Sequence, residues 1–439
     1  MDYALENGGV FVSGSFMDLN IGISEGKIAD LSKLPIEAAQ KIDCKGRIII
    51  PGCIDAHVHF RVPGMEYKED WNSGSRAALA GGITTVLDMP NTKPATTTVQ
   101  LLEEKRKLVQ KDSLCNFGFH FGTTTENLSE LENAANENIA SFKVFMGSST
   151  GNMLIEDENV LRRIFQIAKM QNKIVSVHAE DEAIIRQNSE QHKNENSTSA
   201  HTKIRDSGCE KAAIEKALTL RREIGNKLHI CHVSSLEGME KIIVERRAGN
   251  LTCEATLHHL FLNDEDYEKL GNFAKMNPSL KSRQDNNALL HGIFDGAIDI
   301  IATDHAPHTR EEKQKGYWDS PGGVPGVETM LPLMLNAAGA NKISFERVVE
   351  LCSEFPAKIF GIKDKGAIEI GYDADICIID LKREWVVEGS RLQTKCKWSP
   401  FEGMKLKGVV EKTFVNGTLA YDNGAFDEGA KGREVGFYG

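Results

Sequence analysis

No two of the nine cysteines in this 439-residue chain (Cys44, Cys53, Cys115, Cys209, Cys231, Cys253, Cys352, Cys377 and Cys396) are spaced CxxC, and their number is odd. That pattern argues against a disulfide framework and against a structural zinc knuckle. Most lie in apolar runs, such as Cys231 in LHICHV, and read as small buried hydrophobes. No stretch reaches about 18 apolar residues. The N-terminal MDYALENGG lacks a basic segment followed by an apolar run. No membrane association and no secretory leader are therefore expected, and a reduced, cytoplasmic location follows. No long basic run offsets the net charge of −11, so no nucleic-acid partner is expected. Internal repeats and low-complexity segments are missing as well.

What is present is an ordinary globular composition, 41% hydrophobic and 26% charged, in a chain long enough for one large catalytic domain and a smaller one. Residues 1–50 read as short period-2 strands broken by Gly and Asp, and 363–439 repeat that style. Neither end can bury a core alone, so the two are expected to join in one small β-sandwich domain. Residues 51–362 alternate short apolar runs (CIDAHVHF, ITTVLDM, NFGFHFG, SFKVFMG, KIVSVHA, LHICHV, NLTCEAT, IDIIATD) with segments of helical periodicity. Eight strands with helices between them predict an α/β fold, a catalytic (β/α)8 TIM barrel, with the β-sandwich flanking it. The polar stretch 186–203 reads as a surface excursion with a flexible portion.

Reactive groups of such barrels sit at the C-terminal strand ends. Strand 1 ends in His57 and His59, strand 4 carries Lys143, strand 5 ends at His178, strand 6 at His232 and strand 8 at Asp304. Asn91, Thr123 and His258-His259 follow strands 2, 3 and 7. His57 and His59, at i and i+2, share one face of a strand and can bind one divalent metal such as zinc. Lys143 lies in an otherwise apolar strand, where a lone lysine faces a large burial penalty. One reading has it snorkel to the rim or pair with an acid. The other makes its amine capture carbon dioxide, giving a carbamate that bridges two cations, with Asp157 as the nearby aspartate to consider otherwise. Two metals would share a water and generate hydroxide near neutral pH. Asp304 could ligate one metal and act as the catalytic general acid/base, or simply cap the strand end.

Taken together, PGCIDAHVHFRVPGMEYKED, LDMPNTKP, SFKVFMGSSTGNM, VSVHAED, CHVSS, LHHLFLND, KMNPSL and IATDHAPHTREEK resemble the class I dihydroorotases of the amidohydrolase superfamily. The resemblance spans nearly the whole chain. It implies that His57 and His59 hold one metal and His178 and His232 the other, with Asp304 a ligand of the first. It implies substrate contacts from Arg61, Asn91, Asn277 and His308, and from the Gly322-Gly323 backbone. A guanidinium fork suits a carboxylate. Two departures stand out. Strand 4 reads FKVFM where many class I enzymes place a bridging aspartate, and the turn reads PGG where the family has PFG.

The implied reaction is reversible hydrolysis of (S)-dihydroorotate to N-carbamoyl-L-aspartate with two divalent ions, Zn2+ expected; a homodimer is left open. Allantoinases, hydantoinases and dihydropyrimidinases form the first alternative, whose substrates lack the carboxylate that Arg61 and Asn91 would bind. A non-catalytic scaffold is the second. His258 and His259, adjacent on an extended segment, would point to opposite sides and take packing roles. His120, His192, His201, His229 and His291 read as ordinary surface or core residues, and His305 as a neighbour supporting Asp304.

Overall fold

A computed structural model describes residues 1–149, 153–246 and 249–438. Residues 150–152 of the SFKVFMGSSTGNM motif lie outside the described residues.

All eight apolar runs form strands: Cys53–Val58 (β1), Ile83–Asp88 (β2), Asn116–Phe119 (β3), Phe142–Phe145 (β4), Ile174–His178 (β5), Lys227–Ile230 (β6), Leu251–Thr256 (β7) and Ile300–Ala302 (β8). They are buried almost throughout. That is why they read as continuous apolar runs and not as alternating ones. β1, β2 and β3 make one parallel sheet. β4 to β8 make another, which begins with the two-residue strand Phe121–Gly122. That short strand continues β3 past His120, so the chain itself joins the sheets on that side. On the other side Val58 bridges to His305 in parallel, and the His59 amide donates to the His305 carbonyl at 2.8 Å. Parallel strands in chain order, separated by helices, are consistent with the expected (β/α)8 barrel.

Side-chain caps start the helices that leave the strand-end loops. Asp70 caps Trp71–Ala80 in a capping box with Ser73, Thr98 caps Val99–Asp112, Asp157 caps Glu158–Met170, and Asp206 caps Ser207–Ile224. Gly225, at φ +75°, ends the last of these in the left-handed conformation that glycine adopts at little penalty. The polar stretch 186–203 is more ordered than its composition suggests. It continues the helix Glu182–Gln191 and ends in Ala200–Ile204. Thr198 donates to Asn272, Thr202 to the Leu280 carbonyl, and the Trp318 indole to the Glu195 carbonyl.

Strands from the two chain ends are hydrogen-bonded in a single nine-stranded sheet. Ile48–Pro51 runs antiparallel to Ile376–Val386 and continues through Gly52 into β1. Leu5, Val10, Ile21, Ile49, Ile376 and Phe414 build its core. Residues 433–437 then return to the parallel sheets, where Glu434 bridges to Phe117.

A buried polar knot fastens the two parts. Asp375 accepts from Asn116 of β3 at 2.8 Å and from the Asn416 amide at 2.7 Å, and pairs with Lys365 at 2.6 Å. Asp375→Ala leaves the buried Asn116 carboxamide and the Asn416 amide without their acceptor, and Lys365 with Asp373 alone, at 2.9 Å. A loss of about 1–3 kcal/mol is expected, read as a shorter thermal-inactivation half-life with metal content intact; an unchanged half-life would show that the knot does not hold the parts together.

Candidate active site

The structure gathers His57, His59, Lys143, His178, His232 and Asp304 at the C-terminal ends of the parallel strands, all of them buried. Asp304 Oδ1 lies 2.9 Å from His59 Nε2 and 3.3 Å from His57 Nε2. Asp55 of β1 fixes this corner. It accepts from the Thr303 amide and hydroxyl, beside Asp304, and from the His57 amide. Burial pushes the Asp55 carboxyl up to about 7 against those three donors.

The ring nitrogens facing away from Asp304 are also held. His57 Nδ1 lies 2.5 Å from Glu254 Oε1, and His59 Nδ1 lies 2.7 Å from the Asn91 side-chain oxygen. Burial works against charge on both rings. At His57 the Glu254 and Asp304 carboxylates outweigh it and raise the ring to about 10, whereas His59 stays low, at about 4. Burial opposes charge on Asp304 too, but His57 and His59 hold it well below the usual carboxylate range. A neutral His59 therefore offers one proton to two acceptors, Asn91 and Asp304. A cation between Nε2 and the carboxylate satisfies that geometry. Tetrahedral sites with metal–ligand bonds of about 2.0–2.2 Å separate ligand atoms by roughly 3.3 Å, close to the spacings here. His57, His59 and Asp304 thus form one candidate metal group.

The second pair sits across the sheet. His178 Nδ1 and His232 Nε2 face each other at 2.9 Å, while His178 Nε2 lies 2.8 Å from Glu180. Burial lowers both rings, His232 further under the charges of His178 and Lys143. Glu180 is itself clamped by Arg205, whose guanidinium also donates to the Ser148 carbonyl. Lys143 lies among all of these. Its side chain is fully buried, its charge bears on His57, His178 and His232, and its Nζ is 3.1 Å from Cys231 Sγ.

The expected substrate contacts cluster on one side of this centre. Arg61 is buried, donates to the Pro307 carbonyl at 3.2 Å and meets His308 Nε2 at 3.2 Å. Burial lowers its guanidinium to about 10, which leaves it charged at neutral pH. His308 Nε2 is 3.1 Å from the Gly322 carbonyl. Gly322 lies so close to Asn277 that a Cβ there would meet the carboxamide at 3.1–3.2 Å. Gly323 has φ +137° and no room for a Cβ against the Ala306 carbonyl. Asn91 faces His59.

Several expectations change. His258 and His259 are not extended: they open the helix Leu257–Phe261, and both rings bond the Thr256 hydroxyl. His201 is a core residue, but one that holds the Asn277 carboxamide, at 3.1 Å. His229 bonds Glu254 at 3.1 Å. Cys231 is buried as expected, yet it forms a second close group of candidate ligands with His57 and Glu254. Asp157 is exposed and caps a helix. Glu254 was missed, although a lone carboxylate within NLTCEAT is the same kind of signal as Lys143 in SFKVFMG.

Comparison with known proteins agrees with this geometry. Residues 48–420 match the family model described as amidohydrolase family. The chain belongs to the amidohydrolase family. This amidohydrolase is 39% identical over 415 residues to the dihydroorotase of Methanosarcina mazei, covering 92% of this chain and 91% of that one. It is 43% identical over 385 residues to the dihydroorotase of Halobacterium salinarum, covering 86% and 88%. Among solved structures, an L-hydantoinase (dihydropyrimidinase) from Arthrobacter aurescens superimposes with a TM-score of 0.95 at 31% identity over 99% of both chains. A dihydropyrimidinase from Brevibacillus agri gives 0.92 at 26% identity, over 99% of this chain and 98% of that one. Amidohydrolases are generally dinuclear metal enzymes, and the candidate ligand groups fit that description. No helix among the described residues is long and apolar enough to cross a membrane.

Groups that orient a metal-binding histidine typically contribute about 10–100-fold in metal affinity. Glu254→Gln is therefore expected to weaken metal retention on that scale, measured by competition with a chelator. Unchanged retention would show that His57 is oriented by something else.

Proposed function

We propose that this amidohydrolase is a dihydroorotase, a metal-dependent cyclic amide hydrolase that interconverts (S)-dihydroorotate and N-carbamoyl-L-aspartate. Dihydroorotases aligned along most of the chain support the assignment. The observation that carries it at the site is Arg61, a buried guanidinium with no carboxylate at ion-pair distance among the described residues. A buried cation of that kind calls for an anionic partner. The substrate carboxylate supplies one, as uncharged hydantoin and dihydrouracil rings do not.

His57, His59 and Asp304 would hold one divalent ion and His178 and His232 the other, zinc in both positions. Lys143, as its carbamate, would bridge them, making this a class I-like enzyme with lysine in place of the bridging aspartate. Such a pair supplies, when bound, Lewis-acid activation of water and of the scissile carbonyl. Arg61, Asn277 and His308 orient the substrate, with the Gly322-Gly323 backbone along its ring and Asn91 at the same pocket as well as on His59. Asp304 takes the proton of the attacking water and returns it to the leaving ring nitrogen, so that ring opening and closure use the same carboxylate in its two protonation states. His57 and His59 hold it ionised, the state in which it can accept a proton. We assign catalysis to residues 51–362, closed as a barrel through the Val58–His305 bridge, and place 1–50 with 363–439 in the flanking sandwich domain.

A hydantoinase or dihydropyrimidinase reading is favoured by the solved structures that superimpose so closely. One panel separates the two. The enzyme is expected to open dihydroorotate far faster than hydantoin or dihydrouracil, and Arg61→Met is expected to raise KM by about 2–4 kcal/mol equivalent, the scale of a desolvated charged contact. Faster turnover of the uncharged rings would favour the hydantoinase reading.

The bridge has its own test. Lys143→Ala is expected to lose activity and one metal, and to recover both partly with short carboxylic acids that can occupy the bridging position. Intact mass of the wild type under gentle conditions is expected to show the added carboxylate. Full metal loading and activity in the alanine variant would exclude the carbamate.

A further inference from the structure

The turn that carries Gly322 and Gly323 is fastened by a group outside the constellation described so far. Lys313 closes the four-residue helix Arg310–Lys313, which starts two residues after His308 and is capped by Thr309. Its side chain is 1% exposed, and its Nζ donates to three backbone carbonyls: Lys275 at 2.9 Å, Pro321 at 2.9 Å and Gly323 at 3.0 Å. Lys275 returns the contact from the other direction. Its Nζ donates to the Tyr317 and Ser320 carbonyls, each at 2.6 Å, while its own carbonyl also accepts the Gly323 amide at 2.9 Å.

The donor count explains why the residue is a lysine. An ammonium has three N–H donors and no acceptor, and here it meets three carbonyls. Burial first, and then the Lys275 charge, hold its proton affinity well below the usual lysine range, with Glu312 acting against them. Only the protonated form, with three N–H groups, meets all three carbonyls. The three carbonyls belong to two parts of the pocket wall, and the lysine to a third. Lys275 precedes Asn277 by two residues, Pro321 and Gly323 flank Gly322, and Lys313 itself is tethered to His308 through one helical turn.

We propose that Lys313 is a positioning residue for the substrate pocket: its ammonium sets the spacing among Asn277, His308 and the Gly322-Gly323 turn. The proposal rests on the reading above that these groups contact the substrate. Removing the ammonium takes the donor from the buried Pro321 and Gly323 carbonyls and leaves the Lys275 carbonyl with the Gly323 amide alone, which loosens the turn without touching the metal-binding residues.

Lys313→Met keeps the length of the side chain and deletes the charge. The expected result is a KM for dihydroorotate raised by about tenfold or more, with kcat within about threefold of wild type and metal content unchanged. An unchanged KM, or a loss of kcat and metal together at unchanged KM, would overturn the role. If the variant fails to fold, hydrogen exchange on the wild-type enzyme decides instead. Slow exchange of residues 316–324 before any ligand is added supports the clamp, and exchange at the rate of an open loop refutes it. If the wild-type enzyme prefers an uncharged ring, the assigned substrate falls, and the same KM comparison on that ring still decides the part played by Lys313.

Discussion

The structure depends on how charge is held at the ends of the parallel strands. Glu254, His57 and Asp304 stand in line, Oε1 to Nδ1 at 2.5 Å and Nε2 to Oδ1 at 3.3 Å, all three buried. None of the three could be buried singly without a severe desolvation penalty. Each is tolerable only because the next neutralises it, so the strand register that aligns β1, β7 and the end of β8 is also what makes the site stable. Asp55 repeats the principle one residue pair below, bonding the chain at Thr303 to the chain at His57. Removing any member exposes its neighbours to the low-dielectric interior, which ties the stability of the fold to the integrity of the site.

The same arrangement shows which features a sequence reveals. The eight strands were legible because burial on both faces produces unbroken apolar runs, and the residues at their ends followed from the rule that strand ends carry chemistry. Lys143 and the histidines announced themselves as polar interruptions of those runs. Glu180 and Arg205 did not, because their meaning comes from pairing across about 25 residues of intervening chain, which no local pattern records. The His258-His259 dipeptide was misjudged for a related reason. Which way two adjacent rings point depends on whether the strand has already given way to a helix, and here β7 ends at Thr256 and the helix begins at Leu257, before either histidine. The excursion at 186–203 looked featureless because it is anchored by backbone carbonyls and single hydroxyls, which composition does not reveal.

Backbone conformation adds a feature invisible in the sequence. Arg61, His232 and Asp304 all have left-handed φ values, +67°, +35° and +46°. Residues with a Cβ adopt that region at a free-energy penalty, and do so where the surroundings impose it. Here the strands end and the chain turns sharply, bringing each side chain back over the strand ends. Glycine would relieve the strain at all three positions, at the loss of the side chains that the proposed chemistry uses.

The antiparallel pairing of Ile48–Pro51 with Ile376–Val386 has a temporal side as well. Pro51 aligns with Ile376, so about 325 residues are synthesised between one edge of that ladder and the other. At translation rates of about 5–20 residues per second, the first strand emerges roughly 15–65 s before its partner exists. During that interval Ile48, Ile49 and Ile50 present an apolar edge beside β1, the strand that carries His57. An unpaired edge of this kind is a template for wrong associations. The strand Ile376–Val386 thus completes a sheet that Ile48–Pro51 has waited for, and the strand that leads into β1 finds its partner only after the residues of the candidate site have been made.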